Sequence, residues 1–319
     1  MFDFKIDKSF QEKETIIKEL YDVVIIGGGP GAINAALYAA RNDLATLMVV
    51  KEDGGQLLNT KIIDNYLGFY NISGEDLNNK FKTHLSNFNV DILLNVSVTK
   101  LTKEKELFIA NLSNEKQITS KTVILATGGN PRKLGVKGEK EFAGRGVSYC
   151  VICDGTFYRD RNVVVVGGGN SALEAALDLA KYVKSVHIVQ IMDHFTGDKI
   201  LVDKVKESNN ITYELSSEIK EIIGKDNVEK VVVSNKEGLK ELEVEGVFIE
   251  IGIIPNSELV KGLVPLNKFN EVITNFKQET SLAGLYAIGD VTDFIYKQVI
   301  TAASQGAVAA LSANKYLNE

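Results

Sequence analysis

Cysteine and proline are scarce in this sequence and tryptophan is missing: 319 residues contain 2 Cys, 4 Pro and 0 Trp. Two cysteines cannot staple a disulfide-dense scaffold. So little proline beside 45% hydrophobic residues excludes collagen-like and low-complexity chains. Positive charge is also short, with Lys+Arg 36 against Asp+Glu 42 and a net charge of -6, so polyanions are repelled on average and no nucleic-acid partner is expected. No apolar run reaches the roughly 20 residues that a spanning helix requires, so no membrane partner is expected. Residues 1–20 mix charged and apolar side chains without the pattern of a secretory leader, which makes the cytoplasm the expected address. In a reducing cytoplasm two thiols are ordinarily inert and buried. Here they are Cys150 and Cys153, with two residues between them.

What the chain does have is glycine in a repeated context. DVVIIGGGPGAINAALYAA begins at Asp22, and NVVVVGGGNSALEAALDLA begins 140 positions later at Asn162. In each copy four β-branched residues run into three glycines and then into an alanine-rich stretch, which predicts a buried strand, a tight turn and a helix. Gly27 and Gly167 permit the turn, Gly29 and Gly169 let backbone approach a pyrophosphate, and Ala32 and Ala172 hold the third small position, where helix packs on strand. Pro30 opens the first helix, where a missing N–H costs nothing, and Asn170 and Ser171 open the second. A further strand follows each copy (Thr46 to Val50, Val186 to Val189). One such motif is a weak signal. Two in register predict two dinucleotide sites, which suits a flavoenzyme using FAD and a nicotinamide. Two strand-and-turn segments, Val123 to Asn130 with Thr127 and Gly128, and Gly246 to Asn256, bracket the second copy as one continuous insertion. The stretch Gly284 to Asp290 is strand-like and sets Asp290 directly after Gly289, and an alanine-rich helix is predicted over Lys297 to Tyr316. The expected fold is α/β, with two Rossmann-like three-layer domains, the second inserted in the first.

These repeats, together with YCVICDG (Tyr149 to Gly155), GGQL (Gly54 to Leu57) and AIGD (Ala287 to Asp290), resemble the low-molecular-weight thioredoxin reductases from about Tyr21 to Leu317. The resemblance implies an N-terminal extension over residues 1–20, an FAD domain over 21–128 and 250–319, and a pyridine-nucleotide domain over 129–249 that carries the redox cysteines. It assigns Gly27, Gly29, Pro30 and Ala32 to the FAD pyrophosphate and Asp290, after Gly289, to the ribityl or phosphate region. Gly55, Gln56, Asn65, Thr127 and Gly128 fall near the flavin, and Gln298 opens the helix facing its pyrimidine edge. Where many Rossmann proteins end the second strand in a ribose-binding carboxylate this chain has Val50, so Glu52 is taken as the substitute. The resemblance also implies a homodimer, and a rotation of the inserted domain about hinges near Gly128 or Gly129 and near Glu250 to Gly252.

A C-x-x-C pair is half of a zinc site, an incidental pair of thiols, or a dithiol that cycles. Zinc needs two more ligands, and the chain offers only His84, His187 and His194. As a cycling pair, the cysteines close a small, readily reduced disulfide. Asp154 is placed to move a proton, or is simply a turn aspartate before Gly155. By resemblance Cys153 meets the flavin and Cys150 attacks the disulfide of a thioredoxin. The chain departs from NADPH-using members at HIVQIMDHF (His187 to Phe195), which holds no Arg or Lys but includes Asp193. Gln190 can bond ribose hydroxyls without charge, so NADH is expected to serve at least as well as NADPH. The alternatives are a reductase fed by ferredoxin or another carrier, the flavoprotein of a peroxiredoxin system, and a non-catalytic flavin sensor.

Overall fold

The computed structural model describes residues 17–60 and 62–319, so the N-terminal extension expected over residues 1–20 lies outside the described residues except for its last four. The chain forms two compact units, one from the segment ending at Asn130 together with Ile254–Glu319, the other from Pro131–Ile253. Among the described residues no helix is long and apolar enough to cross a membrane.

The first unit begins with β1 (Tyr21–Ile26), α1 (Pro30–Arg41), β2 (Thr46–Val50), α2 (Gly74–Leu85), β3 (Asp91–Leu94), β4 (Val98–Glu104), β5 (Leu107–Leu112) and β6 (Gln117–Leu125). Its sheet runs β3-β2-β1-β6-β5-β4, parallel through β6 and antiparallel beyond it. The β-branched run of β1 is buried on both faces, as a central parallel strand requires. Of the antiparallel meander β4 to β6 only the Val123–Leu125 end of β6 reads as a strand in the sequence, because β4 carries charges at Lys100, Lys103 and Glu104 and is half-exposed, and β5 holds just three buried positions.

The second unit contains β7 (Gly129–Pro131) at its entrance, then β8 (Val147–Ser148), α3 (Val151–Asp154), β9 (Asn162–Val166), α4 (Asn170–Leu179), β10 (Ser185–Val189), α5 (Lys199–Glu207), β11 (Ile211–Glu214), β12 (Glu218–Gly224), β13 (Val228–Asn235), β14 (Gly238–Glu243) and β15 (Gly246–Ile249). The parallel sheet is ordered β11-β10-β9-β15-β8, and β12-β13-β14 form a separate antiparallel sheet. Val163, Val165, Ala172, Ala176 and Phe248 build the core between sheet and α4. The repeat is kept in register: Val23 pairs with Thr46 in the first unit, and Val163 with Val186 in the second.

The chain then returns through β16 (Ile253–Pro255) and β17 (Leu285–Ala287), which pairs with β6, to α6 (Val299–Asn318). The crossings between units fall at 130–131 and 253–254, slightly C-terminal to the expected domain limits, and β7 and β16 pair with each other there. The reason is visible in the first unit: Gln56 Nε2 donates to the Gly129 carbonyl at 3.0 Å and Asn256 N–H to that of Gly128 at 2.9 Å, which binds those residues to the flanking strands. Helix α6 starts at Val299 rather than Lys297 because Gln298 is its N-cap, in a reciprocal capping box with Thr301. It packs on α1 at a glycine contact, where a Cβ on Gly306 would stand 2.3 Å from the Gly31 carbonyl oxygen.

Candidate functional site

Each unit presents a glycine turn between its central strand and first helix. Gly27 has φ +139°, and a Cβ there would lie 2.2 Å from the Ala126 carbonyl oxygen; Gly167 has φ +133° and its Cβ would lie 2.4 Å from that of Glu250. A side chain is excluded at both places by backbone conformation and by a neighbouring strand. Two residues on there is room: among the described residues nothing lies within 4 Å of a Cβ on Gly29, and only Thr196 Oγ1, at 3.7 Å, approaches one on Gly169. These glycines are the N-caps of α1 and α4, and neither helix has a side-chain cap. Two helix starts with uncapped N–H groups beside open glycine backbone fit the pyrophosphates of two dinucleotides.

Around the first turn, several residues picked from sequence come together. Asn65 Nδ2 donates to Gln298 Oε1 at 3.2 Å, although the two are far apart in the chain. Gln56 stands at the start of the 3-10 turn Gly55–Asn59, bonded also to Asn130 Oδ1 at 3.0 Å. Thr127 and Asn256 exchange bonds: Thr127 Oγ1 donates to the Asn256 carbonyl at 2.7 Å, and Asn256 Nδ2 to the Thr127 carbonyl at 2.8 Å. Burial pushes the Asp290 carboxyl above the usual range, against the pull of Lys297. The preceding Gly289 N–H is held by Gln305 Oε1 at 2.7 Å, while Gln305 Nε2 is buried without a hydrogen-bond partner among the described residues. This orphaned donor beside Asp290 is a second feature that fits a bound cofactor. Glu52 points to solvent, ion-paired to Lys51 at 3.4 Å; the carboxylate fixed near the end of β2 is Asp53, held by Lys82 Nζ at 2.5 Å. Gln305, Asn256 and Asp53 were missed in the sequence. Each stands out only through a partner brought in by the fold.

In the second unit, Cys150 and Cys153 are disulfide-bonded, with Cα atoms 5.3 Å apart. Cys150 is the N-cap of the single turn α3 and its sulfur accepts from the Cys153 N–H at 3.2 Å. Ser148 links the pair to the acid: its Oγ accepts from Cys150 N–H at 3.1 Å and donates to Asp154 Oδ2 at 2.6 Å. Just before them, Tyr149 O–H donates to the buried Glu139 at 2.9 Å, and Glu139 also accepts from the Leu134 and Gly135 amides, at 2.9 and 2.7 Å. Burial and that carboxylate push the Tyr149 hydroxyl far up. The segment leading into the disulfide is thereby anchored to its own unit.

The far end of the second turn has a different character. Gln190 is buried, its amide packed against Gly168, and its Nε2 donates to the His194 carbonyl at 3.2 Å. Asp193 pairs with His194 at 2.6 Å, which holds the aspartate below its ordinary range, and Ile191 and Met192 are exposed. Beside this loop is a cavity of about 350 Å³ lined by Ile191, Ser216, Ser217, Glu218, Ser234, Asn235 and Lys236. Lys236 comes from the β13–β14 turn and adds to the field on Asp193, so the fold supplies a cation that the linear strand end lacks.

Asn170 and Ser171 are engaged within the unit. Asn170 exchanges bonds with Asp198 (2.9 Å from its Nδ2, 2.7 Å to its Oδ1), and Ser171 Oγ donates to Glu250 Oε2 at 2.6 Å.

Comparison with known proteins agrees with this geometry. Thioredoxin reductase from Streptococcus pyogenes superposes with a TM-score of 0.91 at 38% identity, over 94% of this chain and 99% of that one. A protein of Bacillus subtilis named NADH dehydrogenase is 38% identical over 302 residues, 94% of this chain and 59% of its own length. An alkyl hydroperoxide reductase component of Staphylococcus aureus is 35% identical over 302 residues, 94% of this chain and 60% of its own length. The chain thus spans about three-fifths of the length of these curated relatives. The family model for pyridine nucleotide-disulphide oxidoreductases matches residues 21–306. With both dinucleotide turns and a disulfide in the inserted unit, the chain belongs to the pyridine nucleotide-disulphide oxidoreductase family.

Proposed function

We propose that this chain is a thioredoxin-type disulfide reductase that takes electrons from NADH, at least as readily as from NADPH, and passes them through the Cys150–Cys153 disulfide to a thioredoxin or thioredoxin-like protein. The observation that carries this reading is the disulfide itself, closed next to Asp154 and built into the same unit as the second dinucleotide turn. The first turn, with Asp290, Gln56 and Asn65, would hold FAD, which when bound would supply the two-electron exchange between a nicotinamide and a disulfide.

The residues of the chain do the rest. Two electrons entering the Cys150–Cys153 bond break it and leave two sulfurs that take up protons; Asp154, already coupled through Ser148, is the group placed to deliver one. As the thiolate, Cys150 then attacks the partner's disulfide to give a mixed disulfide and one partner thiolate. Cys153 displaces the second partner sulfur and re-forms the Cys150–Cys153 bond. The absence of Arg and Lys from the Gln190–Phe195 loop favours NADH, which carries no 2′-phosphate, and leaves Lys236 of the β13–β14 turn as the cation that a 2′-phosphate would meet. We place the enzyme in the cytoplasm and as a homodimer.

The test is to mix the FAD-loaded protein with thioredoxin and follow the oxidation of NADH and of NADPH separately. Steady turnover that Cys150→Ser abolishes is expected; disulfide reduction untouched by that substitution overturns the reading. The name of the Staphylococcus aureus relative supports a second reading, a peroxiredoxin system whose thioredoxin-like component is the immediate acceptor. Replacing thioredoxin by a peroxiredoxin and its small dithiol carrier in the same assay separates the two.

A further inference from the structure

The backbone that carries Cys150 has little regular structure on either side of it. Strand β8 pairs with β15 at two positions, Val147 with Val247 and Ser148 with Phe248, and α3 is a single turn. One helical turn does not sustain itself in water. Between the two stands Tyr149, and its side chain is fastened. Its O–H donates to Glu139 Oε1 at 2.9 Å, and Lys133 Nζ stands over its ring, 3.6 Å from the centroid. Glu139 is in turn fixed by main chain: Oε1 accepts from the Leu134 N–H at 2.9 Å and Oε2 from the Gly135 N–H at 2.7 Å. At 4% exposure this carboxylate is among the most buried acids of the protein, a position that is tolerated only because both oxygens have donors. The clasp therefore runs from the backbone of residues 134 and 135, through one buried acid, to the residue covalently joined to Cys150.

We propose that Glu139 is a positioning residue for the redox pair: through Tyr149 it keeps Cys150 beside Cys153 after their bond is opened, and so raises the tendency of the dithiol to close again. The inference rests on the reading of these cysteines as a cycling pair. In the closed form the cross-link itself limits how far the two residues can part. In the open form that limit is gone, and whatever fixes the backbone before Cys150 decides how often the sulfurs meet. An anchor that restrains chiefly the open form lowers its entropy and leaves the closed form nearly as it was, which favours the disulfide. Loss of the clasp should make the pair easier to reduce, and Cys153 slower to displace the second sulfur of a partner.

The experiment equilibrates FAD-loaded enzyme anaerobically with mixtures of reduced and oxidised dithiothreitol, quenches it in acid and counts its thiols by alkylation and mass. In this exchange one dithiothreitol gives two electrons and two protons to the Cys150–Cys153 bond and closes to its own ring disulfide, leaving two thiols on the enzyme. Tyr149→Phe keeps the ring under Lys133 and leaves Glu139 its two amide donors, so the fold is retained. It should move the equilibrium about three- to tenfold towards the dithiol, a rise in potential of about 15–30 mV. Glu139→Gln should move it the same way, and the double variant should move it by less than the sum of the two, because both act through one bond. A general loss of stability would lower the melting temperature without moving this balance between two folded forms. Equilibria of Tyr149→Phe and wild type that coincide overturn the proposal, as does a double variant whose shift equals the sum. Tyr149→Phe decides the matter alone if Glu139→Gln does not fold. Failure of the cycling-pair reading shows elsewhere, as an absence of new thiols when wild-type enzyme is treated with NADH alone.

Discussion

Moving one methyl group along the second glycine turn separates what the fold needs from what a nucleotide needs. In Gly167→Ala the new Cβ would stand 2.4 Å from the Glu250 carbonyl oxygen, at φ +133°, where L residues are strained. The conformation alone costs about 1–3 kcal/mol, and the clash must be relieved by moving β15 or the turn, so about 3 kcal/mol is expected in all. For a unit of this size that is a fall in melting temperature of about 10 °C. In Gly169→Ala the methyl meets nothing closer than Thr196 Oγ1 at 3.7 Å, and the backbone, at φ -85° and ψ -177°, is extended. Alanine is merely a poorer N-cap than glycine, a loss of no more than about 1 kcal/mol. That methyl does, however, occupy the open face where the pyrophosphate is proposed to lie. Gly169→Ala should therefore keep its flavin and nearly all its stability while NADH affinity falls at least tenfold. Thermal unfolding gives the first quantity, and flavin bleaching by NADH under anaerobic conditions gives the second. Unchanged NADH affinity in Gly169→Ala, or unchanged stability in Gly167→Ala, would refute the reasoning.

Three further outcomes follow from the same structure. Asp154→Asn keeps an acceptor for Ser148 but no transferable proton, so turnover with thioredoxin should fall about 100-fold while the Cys150–Cys153 disulfide still forms, as measured by thiol titration and steady-state rates. Burial lowers His187 to about 4 from the ordinary 6.5, so the folded state resists its protonation. Its contribution is whole above about pH 6.5 and is lost as pH falls towards 4, up to about 3 kcal/mol, and His187→Gln should flatten the urea-unfolding free energy over that window. Lys236→Ala should raise the KM for NADPH several-fold and leave that for NADH alone; equal effects on both would mean that Lys236 plays no part in reading the 2′-phosphate.

The strand, turn and helix of each repeat were legible because their causes are local. A β-branched run, glycines two apart and an alanine stripe constrain neighbouring residues wherever the chain goes, and the structure starts β1 and β9 within two residues of the expected positions. Strands β4, β12 and β14 escaped notice because they are half-exposed and carry charges at many positions, which blurs alternation, and with them went the meander and the second antiparallel sheet. Within the candidate site, residues read from a motif are found beside one another where the fold closes the gap, as with Asn65 and Gln298. Residues recognised through a distant partner, such as Gln305 under Gly289 or Asp53 under Lys82, had no signal in one dimension.

By itself, then, the sequence determined the class of fold, the two glycine turns and the nearness of Cys150 to Cys153, since two intervening residues keep the Cα atoms within about 11 Å even in an extended chain, and the turn α3 brings them to 5.3 Å. Tertiary structure alone decided which carbonyl makes each first glycine obligatory, that a lysine from a distant hairpin stands near Asp193, and that Ser171 meets Glu250. The division has one physical reason. Backbone dihedrals and short-range spacing are properties of a few consecutive residues, whereas burial, charge and hydrogen-bond partnership are properties of whatever the rest of the chain brings within reach.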